Sequence, residues 1–461
     1  MTVATGFQFE QVVGFQPGEA EGILRGVPAG PGVFALYGAR AGDAPYLTRT
    51  ADLRRRMRRL LDPPESQSKR LNLREKVVRI EYSVTGSEFE SSLVLYHAAS
   101  ALFGHAEARR RLKLHTPYFL RLTMENAFPR VYATNRLSKR GLGQMYGPFP
   151  SRVAAERYCD AVLDLFKLRR CHEELHPDPD DPGCVYGEMK KCLEPCKQAC
   201  SDEEYMGEAA GVKTFFETRG EVMLEAVAAQ REAAATAMEF EKAAALHAQW
   251  QKVKAAGSLA DWLVRPVPKL HLVVVQAAAK IAGDEREAAE AALFVLEAGC
   301  LAGPERLSTL GVRAVREQTS VGSSLFAQPL MLAPVPLGEP TVPVDSPEER
   351  AERVLKALEG KAGGGRGDMA SLGDHLSLLR RWYYRPEKQR AGEIYCQNAD
   401  GSWPVRRILR GAARMVLGEP GVVAETNRAG VKAAKTRILH EGREGVERVV
   451  PVVGKGPDGV A

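Results

Sequence analysis

Residues 171–200 read CHEELHPDPDDPGCVYGEMKKCLEPCKQAC, a stretch that hydrophobic packing does not account for and a metal centre does. Five of the chain's eight cysteines fall within it, while eight among 461 residues are too few for a disulfide-stapled scaffold. Cys171, Cys184, Cys192 and Cys196 stand in the pattern C-x12-C-x7-C-x3-C. Four soft thiolates suit either an iron–sulfur cluster or zinc, and the spacing by itself does not divide the two. The run Pro177 to Pro182 must be a loop, because proline supplies no amide donor. Cys200 reads as a spare fifth thiol, and Cys159, Cys300 and Cys396 as ordinary free cysteines. The bland alternative, thiols without metal, requires five cysteines beside a Pro/Asp loop to be core or surface residues.

Upstream of this stretch, Ser151 has the character of a helix N-cap, and Val153, Tyr158, Val162, Leu165 and Phe166 approximate one face of a helix running to about Leu168. Before it, Tyr118 to Thr123 and Pro129 to Thr134 are strand-like. The first segment, to about Arg110, alternates extended apolar runs (Gly32 to Tyr37, Arg79 to Val84) with helix-like ones (Ala51 to Leu61, Glu88 to Phe103), the pattern of a small α/β unit. Downstream, Asp202 to Ala256 is Ala/Glu-rich and proline-free, which predicts helix with a break near Thr236 to Met238. His271 to Val275 and Ala292 to Glu297 read as strands, Pro329 to Pro347 as a proline-rich connection and Gly363 to Gly367 as a linker. The block from Met369 holds a helix-like Leu/Arg run with Trp382, Tyr383 and Tyr384. A chain of 461 residues exceeds one ordinary core. The expectation is therefore a multidomain α+β protein with units at 1–110, 111–201, 202–256, 257–362 and 363–461.

Net charge is only +6, but it is unevenly spread. Between Ala44 and Ile80 eleven basic residues face four acidic ones, and Arg54, Arg55, Arg58 and Arg59 form the densest part of a patch suited to a polyanion such as DNA. No uninterrupted apolar stretch approaches a membrane span and no signal-like N-terminus is present, so the sequence excludes a membrane partner and implies a cytoplasmic protein.

The N-terminal unit contains Pro31-Gly32-Val33-Phe34, Tyr46-Leu47-Thr48-Arg49, Asp52-Leu53-Arg54-Arg55-Arg56 and Ser87-Glu88-Phe89-Glu90, in that order. This series resembles a GIY-YIG nuclease domain. The resemblance implies that Tyr46 acts as base or positions the nucleophile, that Arg56 neutralises phosphate charge and that Glu90 holds one Mg²⁺. Arg49 takes the place of a lysine in the second motif. Those three kinds of group cover what phosphodiester hydrolysis needs, namely an activated water, a nearby cation and relief of developing charge. The departures are Phe34 for the first motif's tyrosine, Thr48 for a glycine, and Tyr96-His97 for a Glu-Asn pair. Losing a hydroxyl from a catalytic network costs orders of magnitude, so these changes imply a slow or dead enzyme.

Leu168-Arg169-Arg170-Cys171 and Cys192-Leu193-Glu194-Pro195-Cys196 resemble the iron–sulfur segment of UvrC-type excinuclease subunits, which implies a [4Fe-4S] cluster in preference to zinc. Met238 to His247 resembles the UVR motif, a helical hairpin that docks on UvrB; Phe240, Ala244 and Leu246 are the implied contacts. Packing within the chain is the alternative use of that hairpin. The likeness runs from about Pro31 to Lys254, and more weakly over Lys269 to Leu307. The RNase H-like and helix-hairpin-helix domains of a full UvrC are not visible beyond it, and His271 to Val275 bears no carboxylate. The resemblance implies a nucleotide-excision-repair protein that binds DNA and UvrB and carries a degraded endonuclease site. Two further readings are a catalytically inactive iron–sulfur adaptor using the same surfaces, and a metal-stabilised protein whose basic patch takes RNA or any polyanion.

Overall fold

The alternation in the first hundred residues becomes a four-stranded antiparallel sheet of β1 (Gln11–Gly14), β2 (Gly32–Gly38), β3 (Tyr46–Thr50) and β4 (Val77–Val84), in the order β1-β4-β2-β3. The computed structural model describes residues 7–40, 42–63, 71–279, 290–310, 312, 345–363, 368–386, 389–398 and 400–417. All of them lie in the first of two units, Met1–Gly421 and Val422–Ala461. Because side chains alternate along a strand, Phe34, Leu36, Ile80 and Tyr82 turn to one face of the sheet, against α1 (Ala20–Gly26) and α2 (Leu53–Leu61). Val33 and Ala35 turn to the other, against Val94 and Ala98 of α3 (Glu88–Phe103). The starts of both longer helices are set by side-chain caps: Asp52 accepts from the Arg55 amide and Ser87 from the Glu90 amide. A short α4 (His105–Leu112) follows.

The second layer is a sheet of β5 (Tyr118–Leu122), β6 (Val131–Thr134), β7 (Met145–Phe149) and β8 (Arg265–Pro266), in the order β6-β5-β7-β8. It packs on α5 (Arg152–Leu163), capped by Ser151 as the sequence suggests but ending at Leu163, short of Leu168. Beyond the short α6 (Val185–Glu188) come α7 (Asp202–Thr218), α8 (Glu221–Thr236) and α9 (Phe240–Gly257). Tyr146, Tyr158, Tyr205, Phe215, Phe216 and Val253 form the shared core. The expected break near Met238 is present, and a second separates α7 from α8, where Arg219 and Gly220 take left-handed backbone with φ of 53° and 82°. Gly220 is the signal for that stop: a glycine ends a helix without steric cost.

The third sheet comprises β9 (His271–Ala277), β10 (Glu290–Glu297), β11 (Cys300–Ser308) and β12 (Glu393–Cys396), antiparallel throughout in the order β11-β10-β9-β12. One face packs against α10 (Pro347–Gly363) and α12 (Val405–Leu417), through Leu355, Leu358, Ile408 and Leu409. On the other face lies α11 (Met369–Tyr383). Phe294 of β10 meets Phe89 of α3 at 5.1 Å between ring centres, and Phe89 meets Trp382 of α11 at 5.3 Å. The proline-rich stretch up to 344 and the glycines at 364 and 365 lie outside the described residues.

Half-buried imidazoles lie along this seam. His97 of α3 and His375 of α11 stand 6.4 Å apart, Tyr96 packs edge-on to His375 at 5.5 Å, and Arg109 holds Asp374 at 2.7 Å. Burial first, and neighbouring imidazoles second, hold His97 down to about 4 and His375 to about 3. Below the ordinary histidine value of 6.5, protons therefore bind the unfolded chain in preference to the folded one. The stability these groups contribute is present above that value and is lost as pH falls towards the folded values. Denaturant unfolding at about pH 7.5 and about pH 5 should differ by ~2 kcal/mol per histidine, with a smaller difference in His375→Asn. A pH dependence that is the same in the wild type and in His375→Asn would contradict this packing.

Candidate functional site

The repeat Leu53-Arg54-Arg55-Arg56-Met57-Arg58-Arg59-Leu60-Leu61 makes α2 strongly two-faced. Leu53, Met57, Leu60 and Leu61 are buried, and Arg55, Arg58 and Arg59 are exposed. Arg54 is turned inward: its Nε donates to the Val27 carbonyl at 2.7 Å. Three of the four arginines expected to touch DNA thus form an open basic surface. Lys69 and Arg70 of the same patch lie outside the described residues.

Arg56 Nη2 donates to Tyr46 Oη at 2.9 Å, so two of the sequence-inferred catalytic residues are brought together. Beside them, Phe34 is fully buried, its ring 6.2 Å from that of Tyr46. Arg49 leaves this group: its Nη1 donates to Glu88 Oε1 at 3.0 Å and to Ser92 Oγ at 2.9 Å. Glu90 is also apart from it, on the helix that covers the opposite face of the sheet. Its side chain is 6% exposed, and its Oε2 accepts from the Gly86 amide at 2.8 Å. Gly86 itself abuts β9, where a Cβ would lie 2.1 Å from the Ala277 carbonyl oxygen. Burial, reinforced by the Glu10 charge, pushes the Glu90 carboxyl up to about 7 against the opposing pull of the Gly86 amide and Arg306. Mg²⁺ keeps several waters and favours an ionised, wetted ligand. A dehydrated carboxyl bound to a backbone amide does not fit that need.

The cysteines are set by turns. Cys184 precedes α6, Cys196 lies in the single 3-10 turn Pro195–Lys197, and Lys190, Glu194 and Gln198 take left-handed backbone between and beside them. Ionisation of Cys184, Cys171 or Cys196 would raise the Cys192 pKa, so the four thiols share a neighbourhood. As the side chains stand, no three His, Cys, Asp or Glu groups among the described residues close around a metal ion. Rotation about one side-chain bond moves a sulfur while the backbone turns stay in place. The Glu194 amide donates to Cys192 Sγ at 3.4 Å, the kind of bond that tunes a metal-bound sulfur. Burial pushes the Cys192 thiol up to about 11 and raises Cys171 and Cys196, so any metal must displace protons there. Four thiols are the donor type that a four-thiolate centre would need. Cys200 is half-buried beside it, and Cys159, Cys300 and Cys396 lie elsewhere and form no disulfide among the described residues.

The hairpin of α8 and α9 is anchored at its base, where Val253 and Ala256 enter the second core. Its tip stands in solvent, with Met238 76% and Phe240 71% exposed. Ala243, Leu246 and Trp250 are half-buried, while Ala244 is outward like Phe240. Sequence reasoning also missed the association of Arg49 and Glu88 with Arg385, since the Glu88–Arg385 pair spans 297 residues and has no local signature.

Residues 118–215 match the family model described as the middle domain of UvrC/Cho excinucleases. The chain is 28% identical over 238 residues to UvrABC system protein C of Actinobacillus succinogenes, a match covering 51% of this chain and 38% of that relative. With the protein of the same name from Carboxydothermus hydrogenoformans it shares 30% identity, covering 49% and 37%. With that of Desulforudis audaxviator it shares 29% identity over 327 residues, covering 68% and 50%. The chain thus spans half or less of the length of these relatives. No solved structure matches it, and no helix among the described residues is long and apolar enough to cross a membrane.

Because folding raises the Glu90 pKa, its contribution to stability is complete below the unfolded value of 4.5 and is lost as pH rises towards about 7. Glu90→Gln keeps an acceptor for Gly86 and removes the buried charge. At about pH 8 it should stabilise the protein by ~1–3 kcal/mol in denaturant unfolding, with little effect near pH 4.5. Destabilisation at the higher pH would show that the ionised carboxylate is a favourable part of the fold.

Proposed function

We propose, on the premise that this chain is a relative of the UvrC-type excinuclease subunits, that it serves nucleotide excision repair in the cytoplasm as an adaptor. It binds DNA and a UvrB-like protein and does not cut DNA through its N-terminal unit. The observation that carries this reading is the burial of Glu90 against Gly86, apart from the Tyr46–Arg56 pair. A GIY-YIG-like nuclease needs its metal-binding carboxylate wet and beside its tyrosine and arginine. The surviving Tyr46–Arg56 hydrogen bond favours a second reading, a residual Mg²⁺-dependent endonuclease with Tyr46, Arg49, Arg56 and Glu90 in the roles the resemblance implies.

In the adaptor, Arg55, Arg58 and Arg59 meet backbone phosphates, which gives affinity without sequence preference. Cys171, Cys184, Cys192 and Cys196 would hold a [4Fe-4S] cluster, or zinc as the alternative. Bound there, a four-thiolate centre cross-links the loops and offers no open coordination position, so its role is structural or DNA-sensing. The exposed hairpin tip, with Phe240 and Ala244 outward and Leu246 bracing it, presents a small apolar surface to the partner.

Three measurements test this. Purified protein with Mg²⁺ and a UvrB-like partner should leave damaged duplex intact, and nicking abolished by Glu90→Ala would establish the second reading instead. Replacing Arg55, Arg58 and Arg59 together by Gln should weaken duplex binding and lower the slope of log affinity against log salt by ~2–3; an unchanged slope would remove α2 from the interface. Phe240→Asp should abolish co-elution with the UvrB-like protein while leaving the melting temperature within about 2 °C, since the side chain is mostly in solvent. Persisting co-elution would assign the hairpin another use.

A further inference from the structure

Where α3 faces α11 the fold forms an open pocket of about 370 Å³ whose walls include Arg49, Arg111, Arg381 and Arg385. Among the described residues Glu88 is the one carboxylate in its lining. Two of the guanidinium groups converge on it: Arg385 donates at 2.5 and 2.8 Å and Arg49 at 3.0 Å. Arg381 is anchored from behind by donating to the Leu112 carbonyl at 2.9 Å and to that of Lys113. Arg111 lies over the Phe103 ring at 3.8 Å and pairs with Glu107 outside the cavity. Burial lowers the Arg381 pKa, and the charges of Arg380 and Arg49 lower it further, the mark of positive groups gathered with too little negative charge among them. The remaining wall is apolar, with Leu95, Phe103 and Trp382 contributing.

Converging guanidinium forks suit the planar pairs of acceptor oxygens on a phosphate, and a cavity of this size is in the range that holds a small organic molecule. An inorganic anion would leave the apolar wall bare, while a purely apolar ligand would leave the arginines facing one another. We propose that the cavity binds a 5′-phosphorylated nucleoside, with the phosphate on Arg49, Arg381 and Arg385 and the flat base against Leu95, Phe103 and Trp382. Glu88 holds the guanidinium groups in place in the empty pocket and is the group the phosphate displaces. The nucleoside phosphate is either a free nucleotide or the 5′ end of a DNA strand. The pocket is separate from α2 and from the hairpin, so this inference does not rest on the adaptor reading.

Calorimetric titration of the full chain with deoxyadenosine 5′-monophosphate tests it, with deoxyadenosine and inorganic phosphate as comparison probes. Saturable binding of the monophosphate is expected, about tenfold or more tighter than either comparison probe. Arg385→Gln and Arg49→Gln should each weaken it by about tenfold, Ser92→Trp should block it by filling the cavity, and Glu88→Gln should tighten it by freeing two guanidinium groups. Displacement by a 5′-phosphorylated oligonucleotide supports the pocket with a strand end as the source, and no displacement supports it with a free nucleotide. The proposal is overturned if the wild type shows no saturable binding at millimolar concentration. It is equally overturned if deoxyadenosine binds as tightly as its monophosphate, or if both arginine variants bind like the wild type.

Discussion

Helix α3 is packed on two sides at once, and most of what the N-terminal unit can do follows from that constraint. Val94 and Ala98 press on the first sheet, while Phe89 meets Phe294 of the third sheet and Trp382 of α11. A stripe of the helix along Glu88, Ser92, Leu95 and Ala99 faces the pocket. These residues recur at the four- and three-residue spacing of a single helix face.

Two carboxylates two positions apart on this helix consequently meet opposite fates. At about 100° per residue, Glu88 and Glu90 project to different sides. Glu88 is drawn between Arg49 and Arg385, which hold it ionised down to about 2. Glu90 is enclosed where the first sheet abuts the end of β9, and burial drives it the other way. The same packing that creates an anion-seeking pocket on one side of the helix removes a water-dependent metal ligand on the other. Both outcomes depend on the third sheet and α11 being seated against α3, so the C-terminal half of the described chain sets the chemistry of its first hundred residues.

Much of the local structure was legible in the sequence because it is written in short-range patterns. The extended apolar run Gly32 to Tyr37, the Ser151 cap and the break near Met238 all rest on neighbours within a few positions. The apolar run His271 to Val275 marked a buried strand, but nothing local indicates that Glu393–Cys396 pairs with it. β11 was hidden because Gly303 and Pro304 interrupt its apolar pattern. At the candidate site, the Tyr46–Arg56 partnership follows from one strand and the next helix, and the four cysteines announce themselves by density. The burial of Glu90 and the pairing of Glu88 with Arg385 arise from contacts between distant segments, which spacing along the chain does not encode.

The state of the Glu90 carboxyl is the most direct test of this account. Its ionisation can be followed by carbon NMR of the labelled side chain across the pH range, with and without Mg²⁺. A midpoint at about 7 that Mg²⁺ leaves in place is the expected result. A midpoint near the ordinary carboxylate value of 4.5, moving when Mg²⁺ is added, would mean that the group is open to water and metal, and would contradict it.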